Sequence, residues 1–124
     1  MRTLSRCAGI LIVIVSAAAS LRAQETAEAR AESLIKSGKP ADALTVLDAA
    51  RPPAGSLLAA RLDLLRSNAL RAIGRPADAA PAAERALNTG AASRDHAIVA
   101  RARLQLAQLA ADHGDNQKAA AHLA

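Results

Sequence analysis

The sequence predicts an all-α fold built from helix–turn–helix repeats. Its 124 residues include no Phe, Tyr or Trp, and 52% of them are hydrophobic. Much of this fraction is alanine, which is the best helix former, whereas the aromatic residues that favour strands are missing. Single glycines stand between the alanine- and leucine-rich stretches, which is typical of helix ends.

One short motif recurs along the chain. Residues 38–43 read GKPADA, residues 74–79 read GRPADA, and residues 114–119 read GDNQKA. A glycine can close a helix in the left-handed conformation, and a proline fits the first turn of the next helix. Aspartate near that end of a helix complements its positive charge, and Asp115 suits an N-cap. We therefore predict that each of these glycines is the hinge between two paired helices.

Six helices follow from this spacing. Each runs between turn-forming residues and carries leucine or alanine at helical intervals. Their predicted ranges are 25–37, 40–51, 56–73, 76–88, 93–113 and 115–124. The corresponding repeats cover about 24–55, 56–92 and 93–124, of which the last is incomplete.

Turn residues set the boundaries between the helices. Residues 52–55 (PPAG) separate the second helix from the third, and residues 88–92 (NTGAA) separate the fourth from the fifth. Ser56 and Ser93 are the predicted N-caps of the helices that follow. Pro81 is expected to kink the fourth helix or to delay its regular start by one turn.

The N-terminus has the pattern of a signal peptide. Two arginines precede an apolar run at 8–19, and residues 21–23 (LRA) offer a cleavage site. The apolar run is shorter than the about 20 residues that a membrane span needs. We therefore expect residues 1–23 to be a cleaved signal peptide and residues 24–124 to form an exported, periplasmic or secreted domain. An uncleaved anchor in the inner membrane is the alternative.

Processing would remove most of the net charge. The full chain has 16 basic and 11 acidic residues, and loss of three N-terminal arginines leaves 13 and 11, a net charge of +2. With so little charge and no aromatic residue, the chain is not expected to bind nucleic acid, and an aromatic-lined cofactor pocket is excluded. The single cysteine, Cys7, would also be removed, so no thiol remains for a disulfide, a metal or nucleophilic catalysis.

The repeats resemble the tetratricopeptide repeat family over nearly all of residues 24–124. A small residue (Ala31, Ser67 or Ala107) lies seven positions before each hinge glycine, where paired helices of that family touch. Small side chains at these positions let paired helices approach closely. The resemblance implies a short right-handed α-solenoid. The hinge positions that it assigns are Gly38, Gly74 and Gly114, with the alanines Ala43, Ala79 and Ala119 five positions later.

The repeats depart from the family in two respects. Smaller residues such as Leu34, Leu47 and Ala83 fill the places of its large aromatic residues. The third repeat also stops at Ala124 without the polar capping helix that repeat arrays normally have. We expect a partner or a second copy to cover that face, or the last helix to fray; a truncated reading frame is an equally plain explanation. The alternative fold is an alanine-rich helical bundle without superhelical stacking.

No catalytic constellation is apparent. The serines lie in no nucleophile elbow, and the glycines form no phosphate-binding loop. His96, His113 and His122 match no strong metal-ligand spacing. We therefore predict no enzymatic activity, no metal and no cofactor. A metal carrier or an enzyme that uses His113 and His122 is the alternative.

The family resemblance implies that the first helix of each pair lines a concave groove. The residues carried over by their distance from each hinge glycine are Glu28, Glu32, Arg61, Leu64, Asn68, Arg71, Leu104, Gln105 and Gln108. Among them Arg61, Asn68 and Arg71 form the most suggestive set, because two arginines flanking an amide can bind a carboxylate. A solvated helix face is the alternative interpretation. The clamp of chaperone-binding relatives is not reproduced, so binding of chaperone tails is not expected.

These observations predict a non-catalytic adaptor of the cell envelope. It would bind an extended segment or a helix of another protein, and no nucleic acid or specific small molecule. One alternative is a structural subunit that forms a homodimer through its C-terminal face. Another is a membrane-tethered assembly factor with an uncleaved N-terminus.

Overall fold

The computed structural model describes Ala19, Arg22, Ala23 and residues 26–124. Of the predicted signal peptide, only those three residues are described; the rest lies outside the described residues. Every regular element in the described part is an α-helix, which confirms the predicted fold class. The helices are α1 (26–36), α2 (Pro40–Ala49), α3 (Leu57–Ala72), α4 (Pro76–Ala92), α5 (His96–Asp112) and α6 (Asn116–Leu123).

Three glycines end helices as predicted. The φ angles of Gly38, Gly74 and Gly114 are 74°, 78° and 77°. At each turn the residue after the glycine donates its backbone N–H to the carbonyl five residues earlier, as Arg75 does to Leu70 at 2.8 Å. This hydrogen bond satisfies a carbonyl that the end of the helix would otherwise leave free. The chain therefore reverses within about three residues.

The turn between α4 and α5 lies beyond the predicted separator. The prediction that residues 88–92 break the chain is wrong, because α4 continues to Ala92. Arg94 instead takes the left-handed conformation, with φ 55°, and Asp95 donates its backbone N–H to the carbonyl of Gly90 at 2.8 Å. The N-cap of α5 is Asp95 and not the predicted Ser93, because the Asp95 carboxylate accepts the backbone N–H of Ile98 at 3.0 Å.

Gly90 lies at a helix contact and not in a turn. It is buried inside α4, and a Cβ atom there would lie 2.8 Å from Cγ2 of Ile98 and 3.2 Å from Cγ2 of Val99. The missing side chain therefore lets α4 pack closely against α5. The adjacent Asn88 and Thr89 made this glycine resemble a turn residue in the sequence.

Most of the other predicted boundaries agree with the structure. Ser56 caps α3 and Asp115 caps α6, since their side chains accept backbone N–H groups at 3.1 and 2.9 Å. The proline-rich segment 52–55 separates α2 from α3. The expected delay caused by Pro81 is wrong, because α4 begins at Pro76 and contains Pro81.

Small aliphatic side chains form the core. Ala43 and Ala79 are fully buried and Ala119 is half-buried, so two of the three hinge alanines lie in the core. Successive helices from α2 to α6 pack on one another, and α3 also contacts α5. This is the arrangement of a short helical solenoid. The small residues predicted at helix contacts are all buried: Ala31, Ser67 and Ala107.

The packing at Gly90 predicts the effect of adding one methyl group. In an unhindered helix, Gly→Ala stabilises a protein by about 1 kcal/mol. At Gly90 we expect the clash with Ile98, which is 5% exposed, to outweigh that gain, so that Gly90→Ala destabilises the fold by about 1–2 kcal/mol. Urea unfolding followed by circular dichroism at 222 nm measures this change.

A second background isolates the clash. Ile98→Ala removes the closest obstructing atom, Cγ2 at 2.8 Å, but leaves the contacts of 3.2 Å to Cβ of residue 98 and to Cγ2 of Val99. In that background Gly90→Ala should therefore destabilise clearly less than in the wild type. Equal destabilisation in both backgrounds would contradict this account of Gly90.

Candidate functional site

The first helices of the three pairs meet along one groove. Side chains from α1, α3 and α5 enclose a volume of about 280 Å³. We call this surface the first-helix groove. Its lining residues are Glu28, Glu32, Ile35, Lys36, Arg61, Leu64, Leu65, Asn68, Arg101 and Gln105.

The structure brings together most, but not all, of the predicted groove residues. Six of the nine line the first-helix groove, whereas Arg71, Leu104 and Gln108 lie outside that lining. Leu64 is only 5% exposed and belongs to a cluster with Ala86 and Ile98. Its side chain therefore contributes mainly to the core and offers little surface to a partner.

Two ion pairs occupy the α1 side of the groove. The guanidinium Nε of Arg61 lies 3.0 and 3.2 Å from the two carboxylate oxygens of Glu28. On α1, Nζ of Lys36 lies 2.7 Å from Oε1 of Glu32. The hydrogen bond from Lys36 lowers the pKa of Glu32, and the charges of Lys36 and Arg101 lower it further. Both carboxylates thus already have a cation within the chain.

Arg71 is also engaged within the chain. Its Nε donates to Oδ2 of Asp112 at 2.6 Å and its Nη2 donates to Oδ1 at 3.3 Å. This two-bond contact lowers the pKa of Asp112 and raises the pKa of Arg71. It links α3 to α5. In the predicted set of Arg61, Asn68 and Arg71, each arginine therefore holds a carboxylate of its own chain, and Asn68 alone remains exposed in the groove.

Arg101, which the sequence did not single out, also lies in the groove lining. The side chain is exposed and forms no ion pair or hydrogen bond with any described residue. A signal was present in the sequence, because Arg101 precedes Gly114 by the same 13 positions that separate Arg61 from Gly74. Lys36, Ile35 and Leu65 were missed as well.

Gln105 holds one unsatisfied polar atom against the groove. Its Nε2 donates to the backbone carbonyl of Leu64 at 3.1 Å, which fixes the side chain between α5 and α3. Its Oε1 is buried and accepts no hydrogen bond from the described residues. A buried acceptor without a donor destabilises a fold by about 1–3 kcal/mol. The amide oxygen therefore lacks a donor among the described residues, and a donor from outside the chain reaches it only if the Gln105 side chain shifts.

Two exposed leucines lie on α5 and α6. Leu104 is 49% exposed and Leu123 is 64% exposed. Counted from their hinge glycines, they correspond to Leu64 and Leu47 of the earlier repeats, which are 5% and 0% exposed. In those repeats the following helices cover the leucine. We call the surface of Leu104 and Leu123 the C-terminal face.

A second depression lies elsewhere on the described surface. It encloses about 570 Å³ between α1 and α2, with Thr26, Val46 and Ala50 among its walls. None of the predicted groove residues lines it. Arg30 and Arg51 also line it.

The three histidines do not form a cluster with other residues of metal-ligating types. His96 begins α5, His113 follows its end, and His122 lies on α6. In the part of the chain that the structure describes, no three His, Cys, Asp or Glu side chains come together as a metal site requires.

Among the described residues, none of the helices combines the length and the apolar character needed to cross a bilayer.

Known proteins offer no direct guide to this site. Comparison of the chain with protein-family models, with curated proteins and with solved structures found no match. The functional interpretation therefore depends on the residues of this chain and on the geometry of their side chains.

The Arg71–Asp112 pair predicts a dependence of stability on pH. Because the pKa of Asp112 is lowered in the folded state, the contribution of the pair is present above the ordinary pKa of aspartate. It is lost as the pH falls through the folded pKa. Asp112→Asn should therefore lower the urea midpoint at pH 7, and its difference from wild type should shrink as the pH falls through the folded pKa of Asp112. Urea titrations at pH 7 and at a series of acidic pH values measure this.

The matched variant is Arg71→Gln. It should have the same effect as Asp112→Asn at pH 7, and the two changes should not be additive, because they remove the same interaction. A difference between wild type and Asp112→Asn that persists unchanged at low pH would show that another contact of Asp112 is responsible.

Proposed function

We propose that this chain is a non-catalytic interaction module made of tetratricopeptide-like repeats. It acts as an adaptor or scaffold that binds an extended segment or a helix of another protein. The observation that carries this proposal is the first-helix groove, where α1, α3 and α5 present polar and aliphatic side chains to one open surface. Peptide segments bind such surfaces through a few polar contacts and small apolar pockets.

We further propose that the module works outside the cytoplasm. The support is the sequence of residues 1–23, whose basic start, apolar run and small residues before Gln24 have the pattern of a signal peptide. The adaptor would then act in the periplasm or after secretion. An uncleaved N-terminus would instead tether the same module to the inner membrane.

Site-specific photocrosslinking tests the groove. A photoreactive phenylalanine at Asn68, which is exposed in the groove, should form adducts with a discrete segment of another protein in cells that express the chain. The matched control is the same residue at Glu84, which is exposed on α4 and lies outside the groove lining. Circular dichroism verifies that both variants remain helical, and mass spectrometry identifies the adducts.

The outcomes of this experiment separate the alternatives. Adducts from Asn68 that are absent from Glu84 support the groove as the binding surface. Identical adducts from both positions, or none from Asn68, contradict it.

Self-association through the C-terminal face is the second candidate function. The specific observation in its favour is the exposure of Leu104 and Leu123 at positions that are buried in the earlier repeats. If this function holds, the native mass in dilute solution is that of a dimer, and Leu123→Asp returns it to that of a monomer. The control is Ala121→Asp, an exposed change on the same helix. A monomeric wild type would contradict self-association.

A further inference from the structure

Among the residues that the structure describes, no carboxylate forms an ion pair with Arg101, a cation of the first-helix groove. The corresponding arginine of the second repeat, Arg61, pairs with Glu28, which lies ten positions before Gly38. The position that would supply the same acid to Arg101 holds Leu64, ten positions before Gly74. The substitution of leucine for glutamate thus leaves the guanidinium of Arg101 without a carboxylate partner.

The groove therefore carries a small positive excess. Glu28 and Glu32 are balanced by Arg61 and Lys36 in the two ion pairs. Arg101 adds one further positive charge to the lining. The field of Arg101 reaches Glu32, but that carboxylate is already hydrogen-bonded to Lys36. A ligand with a carboxylate would complete the charge balance.

Gln105 supplies a second unsatisfied group one helical turn along α5. Leu65 is its counterpart in the second repeat, since each lies nine positions before its hinge glycine. A leucine thus suits this position sterically, yet the glutamine leaves a buried oxygen without a donor. A polar group kept where an apolar one fits is common at binding sites. A ligand N–H would satisfy this oxygen.

We propose that the groove selects an extended acidic segment, whose carboxylate pairs with Arg101 while the Gln105 side chain shifts to expose Oε1 to a backbone N–H of the same segment. Residues four apart on a helix have Cβ atoms about 5–6 Å from each other. Two residues of an extended chain span about 6.6 Å, so a single short segment can reach both groups. This inference rests on the proposed binding function of the groove and adds the chemistry of the ligand.

Defined peptide pools test the selection. Three pools of decapeptides share Ala, Leu, Ser and Thr and differ only in whether glutamate, glutamine or lysine occupies the variable positions. Titration into ¹⁵N-labelled protein follows the side-chain amide signals of Asn68 and Gln105. We expect the glutamate pool to bind about three- to tenfold more tightly than the glutamine pool, and the lysine pool to bind no better than the glutamine pool.

Matched variants assign the preference to particular residues. Arg101→Gln should abolish the preference for glutamate, whereas Arg103→Gln should keep it. Arg103 is exposed on the same helix, and its replacement changes the net charge equally, but it lies outside the groove lining. Gln105→Leu should weaken binding of the glutamate and glutamine pools alike without lowering the thermal midpoint, because leucine already occupies the equivalent position in the second repeat.

Two results overturn the inference in distinguishable ways. If the glutamate and glutamine pools shift both amide signals with equal affinity, or if Arg103→Gln removes the preference as well as Arg101→Gln does, acidic selection by Arg101 is wrong and groove binding stands. If none of the pools shifts either signal, acidic selection and the proposed groove function both fail.

Discussion

The left-handed residue that follows α1, α3, α4 and α5 is the constraint on which the other features depend. At residues 38, 74, 94 and 114 the backbone adopts a positive φ, and the following residue donates a hydrogen bond back across the last helical turn. The chain can then reverse within about three residues and still satisfy its carbonyl groups. Because these turns are so short, the helix that follows each turn packs against the helix before it. The stacking of first helices, and hence the groove, follows from this repetition.

Close packing is the second requirement, and small side chains meet it. Without aromatic residues the core gains area by bringing backbones together, through Ala31, Ala43, Ala79 and the side-chain-free Gly90. Small residues bury little apolar surface each, so the number of contacting positions has to be large. Polar contacts between elements supplement them. The Arg66–Asp48 pair joins α3 to α2, and the Arg71–Asp112 pair joins α3 to α5.

The groove gains its chemical character from small differences between similar repeats. Arginines at equivalent positions have different surroundings, because Glu28 neutralises Arg61 while Leu64 stands where the partner of Arg101 would be. The same comparison distinguishes Gln105 from Leu65. Repetition thus supplies the scaffold, and the departures from repetition supply the groups that remain available to a ligand.

The sequence by itself determined the helical class, the three glycine hinges and the caps at Ser56 and Asp115. These features are local, since composition, backbone conformation and hydrogen bonds within a few residues of the chain are sufficient to specify them. It also identified most of the groove lining through the spacing from the hinge glycines.

Features that depend on contacts between distant residues could be determined only from the tertiary structure. In the sequence Gly90 resembles a turn residue, whereas in the structure α5 packs against it. Arg94 occupies the turn position at which a glycine was expected. The pairing of Arg61 with Glu28 and of Arg71 with Asp112 joins residues 33 and 41 positions apart. Whether a charged side chain is neutralised or free depends on such long-range neighbours, which helical periodicity does not specify. For this reason the sequence pointed to the groove, while the structure singled out Arg101 and Gln105 within it.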